Sequence, residues 1–232
     1  MSLSDGITAI TCTGDRPGAF ELCRRYMQRQ TYRGLLQWIV VDDGEVSTSE
    51  QLPACAYQIR PEPFWKPGQN TMPRNLIAAL AVVRCRKIVF IEDDDWYSPE
   101  YLDYMDGLLS QRDLAGEAFA HYYHVPTRQW RMMPNDRHAS LCQTGITENL
   151  LGNLCKICTD NTDFLDVRLW EVGGGLLKRN VWPACVGIKG LPGRPGIGIG
   201  HRPSDGGHWE ADPTCVVLRS WIGEDAANYA SN

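Results

Sequence analysis

Two kinds of apolar pattern alternate along the first hundred positions. Ile7 to Cys12 is a short, β-branched apolar run that stops at Thr13-Gly14-Asp15-Arg16-Pro17, which reads as a strand and a turn. Ala19 to Gln30 then places Phe20, Leu22, Cys23, Tyr26 and Met27 at helical spacing. Leu35 to Val41 is a second strand ending at Asp42-Asp43-Gly44. A proline-rich stretch with a short edge strand at Ala56 to Arg60 follows. Arg74 to Val83 predicts a helix with Leu76, Ile77, Leu80 and Val83 along one side. Lys87 to Ile91 predicts a third strand, broken by Glu92-Asp93-Asp94-Asp95. Pro99 opens another helix, with Tyr101, Leu102, Met105, Leu108 and Leu109 facing inward.

The second half is less regular. Ala118 to Val125 and Gln129 to Met133 read as a hairpin around Pro126-Thr127-Arg128. Asp166 to Leu177 carries Trp170 and Gly173-Gly174-Gly175. A short helix is expected at Val181 to Cys185 and a final strand at Val216 to Trp221. Gly187 to Gly200 holds six glycines and two prolines in 14 residues, which predicts a loop able to wrap a ligand.

Strands that are continuously apolar and alternate with helices form an α/β fold, a mostly parallel sheet with helices on both faces. Ligands of such sheets sit beyond the carboxyl ends of the strands. Thr13 to Arg16, Asp42 to Gly44 and Glu92 to Asp95 all fall at those ends, so the three loops describe one pocket.

Composition narrows the class. The 232 residues suit one domain, and a chain of this length builds its core without staples. No apolar run approaches the roughly 20 residues of a membrane-spanning helix, and the first residues show no secretory signal; a cytoplasmic location is expected. A net charge of −5 is not that of a nucleic-acid binder, although an Arg-rich face can coexist with it. Nine cysteines include one CxxC, Cys155 and Cys158, with no second pair to complete a zinc set, so reduced thiols acting as small apolar residues are expected.

Carboxylates as close as Glu92 to Asp95 raise one another's pKa, and a divalent cation relieves the repulsion. Hard oxygen ligands suit Mn2+ or Mg2+. The competing role is a helix cap, which needs one Asp rather than three.

The segments GITAITCTGDRP, WIVVDDGE and GQNTMPRNLIAALAVVRCRKIVFIEDDDWYSPEYLDYM resemble, in order and spacing, the nucleotide-binding half of GT-A glycosyltransferases of the family-2 type. The resemblance covers residues 5 to 110 and implies a single Rossmann-like GT-A domain. Residues 1–115 would bind a nucleotide-diphosphate sugar, a UDP-sugar by expectation, and residues 116–232 would face the acceptor. Thr11, Thr13, Asp15 and Arg16 would line nucleoside and diphosphate, and Asp42 or Asp43 would bond base or ribose. Arg74 would face the diphosphate. Glu92-Asp93-Asp94-Asp95 stands where a plain Asp-x-Asp is common. By analogy Asp94 contacts the metal and Asp93 the ribose; an alternative alignment makes Asp95 the ligand.

Gly174 and Gly175, in Val172 to Arg179, resemble the glycine loop that approaches the donor sugar. Asp205 falls where inverting members of the family place the general base, with Glu224-Asp225 and Glu210 as competitors. His208 would be a further metal ligand. The acceptor is poorly marked: the basic, aromatic second half suits a small metabolite, a lipid head group, a glycan or DNA. It also resembles viral enzymes that glycosylate hydroxymethylated pyrimidines in DNA, for which the location would be host cytoplasm. The rival readings are a nucleotidyltransferase, whose Gly-rich signature after the first strand is missing, and a non-catalytic sugar- or nucleotide-binding module.

Overall fold

The apolar runs of the first half become the strands and helices that the pattern predicts. The computed structural model describes residues 2–54, 56–160, 163–180, 182–196, 201 and 208–230. In chain order the first half contains β1 (Ser4–Thr13), α1 (Pro17–Gln28), β2 (Leu36–Asp42), β3 (Ala56–Ile59), α2 (Met72–Leu80), β4 (Cys85–Phe90), β5 (Trp96–Tyr97) and α3 (Tyr101–Leu109). Pro17 at the first position of α1 fits a proline's fixed φ and missing N–H. Phe20, Cys23, Tyr26 and Met27 of α1 form its buried stripe. Helix α2 is shorter than expected at its carboxyl end, and Ile77 faces out.

The second half contains β6 (Leu114–Glu117), β7 (Phe119–His124), β8 (Gln129–Pro134), β9 (Thr144–Thr147), α4 (Leu151–Thr159), α5 (Leu165–Trp170), β10 (Leu176–Lys178), β11 (Cys185–Lys189), β12 (Glu210–Ala211), α6 (Val216–Ile222) and α7 (Ala227–Ala230). One sheet has the order β10-β6-β9-β4-β1-β2-β3, and β9 alone among these strands runs against the rest. A second sheet, β12-β8-β7-β11-β5, contains the expected hairpin.

Alternation sends each strand's side chains to two cores. Ile7, Ala9, Val89 and Ile91 pack with α1, α3 and the second sheet, whereas Ile10, Ile39, Ile88 and Phe90 pack with α2, α4 and α5. Among the described residues, no helix is long and apolar enough to cross a membrane. Cys155 is exposed and Cys158 buried on α4, and neither joins a metal-ligating group among the described residues.

Two local expectations are corrected. Val216 to Trp221 is helical: Leu218 and Ile222, four residues apart, are its buried positions, and Val216 is exposed. Asp212 ends the chain's freedom there, because its carboxylate accepts the backbone N–H groups of Val216, Val217 and Leu218. The expected helix ending at Cys185 does not form over 182–184, which are irregular; strand β11 starts at Cys185 and extends into the expected loop as far as Lys189. Pairing with β7 and β5 on either side holds it there.

Candidate functional site

Sheet order sets the position of the site. β1 lies between β2 and β4, so the winding reverses beside β1 and a crevice opens outside the carboxyl ends of the strands. The loop after β1 and the loop after β2 meet closely. A Cβ on Gly14 would lie 2.4 Å from Asp43 Oδ1 and 2.8 Å from the Gly44 nitrogen, so only glycine allows this approach. Asp15, at φ 56°, accepts the Glu45 N–H at 3.0 Å and ties the two loops together.

The two aspartates ending β2 separate in role. Asp42 is fully buried and accepts five donors: Gly44 N, Thr48 N, Thr48 Oγ1, Gln58 Nε2 and Arg60. It organises its own loop. Asp43 faces the crevice; its Oδ2 accepts from Thr71, from Asn75 at 2.8 Å and from Arg74 at 3.1 Å. Its Oδ1 accepts from Arg194 at 2.8 Å. Arg74 therefore buttresses Asp43, and also donates to the Pro63 carbonyl.

The acidic run after β4 reaches the same crevice. Asp93 accepts from Thr13 Oγ1 at 2.7 Å and pairs with Arg16 at 3.0 Å, while the other terminal nitrogen of Arg16 meets Asp94 at 2.6 Å. Asp95 Oδ1 accepts from the Ile188 N–H and from Lys189 Nζ, both at 2.9 Å, and Lys189 also lies 4.0 Å from Glu92. The carboxylates expected to await an added ion are thus first met by two cations of the chain itself. Among the described residues, the ion pairs of these four carboxylates with Lys or Arg are to Arg16 and Lys189.

That imbalance appears in the proton affinities. Burial, with Asp94 adding to it, pushes Asp93 up to about 6 despite Arg16, and burial with neighbouring carboxylates also raises Glu92 and Asp95. Asp94 moves down, because Arg16 and Lys189 outweigh its burial. Lys189 is likewise buried, yet Asp95, Asp94 and Glu92 hold its pKa well above the ordinary value.

Oxygen atoms of Glu92, Asp94 and Asp95 lie within 4.8 Å of one another. Asp95 Oδ2 is buried without a hydrogen-bond partner among the described residues. An all-oxygen set with surplus negative charge and an unused lone pair fits a hard divalent cation. His201 Nε2 stands 3.7 Å from Asp94; burial and the nearby Lys189 lower its pKa to about 3, leaving a neutral imidazole.

Other expected site residues are placed elsewhere. Thr11 is fully buried and its hydroxyl accepts from the Trp38 indole, so it supports β1 from the core side. His208 is exposed and joins no ligand group among the described residues; the histidine beside the acidic cluster is His201. Gly174 and Gly175 precede β10, which runs parallel to β6 and β4, and therefore enter the sheet at the rim opposite the crevice. Gly174 is exposed, and Gly175 is packed so closely that a Cβ would meet the Trp170 ring at 2.3 Å. Asp225 is engaged by the Trp96 indole at 2.7 Å and by Arg29. Glu210 is exposed on β12. Asp205 lies outside the described residues.

The sequence reading assigned Arg194 and His201 to the basic, aromatic acceptor half and gave Lys189, Thr71 and Asn75 no role; none of the five was expected at this crevice. Thr71 and Asn75 stood within the quoted Gly-Gln-Asn-Thr-Met-Pro-Arg-Asn segment. The others had no local signal beyond a basic residue near glycines.

No family model matches the chain, and no curated protein matches it. Its solved structural relatives include Staphylococcus aureus TarS, a GT-A-type glycosyltransferase. Residues 1–349 of TarS in complex with UDP superimpose with a TM-score of 0.55 at 12% identity, over 78% of this chain and 60% of that one. A second structure of the same TarS segment gives 0.53 at 10% identity, over 79% and 60%, and a longer TarS chain gives 0.51 at 11%, over 79% and 37%. The chain thus spans about 60% of the length of the first two of these relatives. The architecture is a GT-A-like glycosyltransferase fold, a mainly parallel α/β sheet with its crevice at the strands' carboxyl rim.

Proposed function

We propose that the chain is a metal-dependent glycosyltransferase that moves a sugar from a nucleotide-diphosphate sugar, a UDP-sugar, to an acceptor hydroxyl. The observation that carries this reading is the meeting, in one switch-point crevice, of Asp43, Thr13, Arg16 and the Glu92 to Asp95 cluster. Asp43 is the candidate to bond the nucleoside, since Asp42 is held by its own loop together with Gln58 and Arg60. Asp93 follows toward the ribose, and Arg16 toward the diphosphate, because a guanidinium matches phosphate oxygens in pairs.

Mn2+ or Mg2+ would be held by Asp94, Asp95 and Glu92, with His201 as the neighbouring nitrogen donor. When bound it would neutralise charge on the departing diphosphate. The chain's own groups orient the donor: Thr13 fixes the Asp93 carboxylate by a hydrogen bond, and Lys189 holds Asp95 in place. A carboxylate must take the acceptor hydroxyl's proton as that oxygen attacks the anomeric carbon. Asp205 is the candidate for that role, with inversion as the expected outcome.

Calorimetric titration with UDP, with and without Mn2+, tests the reading. Metal-dependent binding is expected; binding of no nucleoside diphosphate under either condition would overturn it. Asp205→Ala should abolish transfer and leave UDP affinity unchanged. A panel of nucleotide sugars scored by donor hydrolysis then names the sugar.

A further inference from the structure

Arg194 makes the contacts that a nucleobase would be expected to make in this crevice. Its planar guanidinium lies over the Trp65 ring at 4.8 Å from the centroid. One terminal nitrogen donates to Asp43 Oδ1 at 2.8 Å and the other to Thr71 Oγ1 at 2.7 Å. Trp65 is itself anchored to the loop, its backbone N–H donating to the Asp43 carbonyl at 2.8 Å. A planar, stacked group with an edge of N–H donors against a carboxylate describes a base with a ring N–H as well as it describes a guanidinium.

The segment bearing Arg194 is seated directly on the nucleotide loops. Gly193, at φ +108°, packs so closely that a Cβ would lie 2.8 Å from the Asp15 carbonyl oxygen and 3.0 Å from Arg16 Cγ. Residues 191–196 therefore cross the mouth between the ends of β1 and β2. Asp43 has no spare oxygen while this strap is down, since its other oxygen serves Thr71, Arg74 and Asn75.

We infer that Arg194 is an internal nucleobase mimic: the strap 191–196 holds the nucleoside pocket shut until the donor's base displaces the guanidinium from Asp43 and Trp65. The inference rests on the nucleotide-sugar reading of the site. Apparent donor affinity is then the intrinsic affinity reduced by the fraction of molecules whose strap is open.

Titration of the full chain and of Arg194→Ala with UDP, in the presence of Mn2+, tests it. The variant is expected to bind about tenfold more tightly, corresponding to a strap open in about one molecule in ten. Hydrogen exchange supplies a second measurement on the wild type: amides of 191–196 should exchange faster in saturating UDP than without it. If wild type binds UDP and Arg194→Ala binds equally or less tightly, or if UDP slows exchange in the strap, Arg194 is a staple or a donor ligand and the mimic is overturned. If neither protein binds UDP, GDP, CDP, ADP or dTDP, the nucleotide reading falls and takes the mimic with it.

Discussion

Replacing Arg16 by methionine keeps the apolar stem and deletes the cation that holds two buried carboxylates. Asp93 would retain the Thr13 hydroxyl, but Asp94 would lose its direct ion-pair partner and keep the more distant charge of Lys189 and a neutral imidazole at 3.7 Å. Breaking a buried pair by removing one partner costs roughly 3–5 kcal/mol. Proton uptake sets a ceiling on that cost, because the stranded carboxyl can always neutralise itself. From an ordinary pKa of 3.8, protonation costs about 4 kcal/mol near pH 7 and about 2 kcal/mol near pH 5.5, at about 1.4 kcal/mol per pH unit. Arg16→Met should therefore lose about 4 kcal/mol at neutral pH and about half of that in mild acid, a Tm difference of roughly 10 °C shrinking to about 5 °C. Urea unfolding at the two pH values measures it.

Mg2+ should stabilise the variant more than the wild type, because among the described residues the acidic cluster then keeps Lys189 as its one ion-paired Lys or Arg. A loss below about 1 kcal/mol, or one independent of pH, would refute the view that these four carboxylates form one electrostatic unit relying on Arg16. Equal stabilisation of both proteins by Mg2+ would refute the ion's place in that unit.

His201 gives an opposite pH signature. Its folded pKa of about 3 lies below the ordinary 6.5, so the unfolded chain binds the proton first, and stability present above 6.5 is lost as pH falls toward 3. His201→Gln should flatten that acid limb, recovering up to about 3 kcal/mol near pH 4 relative to the wild type's own fall from neutrality, as read by urea unfolding. Asp212→Ala removes the acceptor for three N–H groups at the start of α6 and should cost about 1–2 kcal/mol with an unchanged urea m-value; an unaffected midpoint would show that α6 does not depend on this cap. Gly14→Ala drives a Cβ to 2.4 Å from Asp43 Oδ1, so the loops after β1 and β2 must part. UDP binding should be lost in calorimetry while circular dichroism stays native, at a stability cost of about 1–3 kcal/mol.

How much was legible follows from where the determining forces lie. β1, β2 and β4 are buried on both faces, so their sequences are continuously apolar and their polar ends stand out sharply. Carboxylates at a strand's end are visible without knowing the fold, and so is their tendency to collect on one rim. Their counter-ions are not. Lys189 reaches Asp95 from 94 positions away, on a five-residue strand whose identity comes from pairing with β7 and β5 rather than from propensity. Its glycine-rich continuation hid it as loop. The glycines at 173–175 misled in the other direction: a Gly run signals close backbone approach or positive φ, and here that approach is to the Trp170 ring at the opposite rim. The same limit explains Val216 to Trp221, where β-branched residues favour a strand but Asp212 and the Leu218–Ile222 spacing win.

Which groups are charged can be read along the chain; which charges are already answered depends on topology. That distinction decides the chemistry of this site. A free acidic triplet would bind any divalent ion and wait for a phosphate. Four carboxylates, Glu92 to Asp95, already held by Arg16 and Lys189 instead carry a formal residual charge of minus two, set by the fold. On the metal-dependent reading proposed above, that charge matches one divalent ion, and the affinity for it would depend on the integrity of β11 and of the loop after β1.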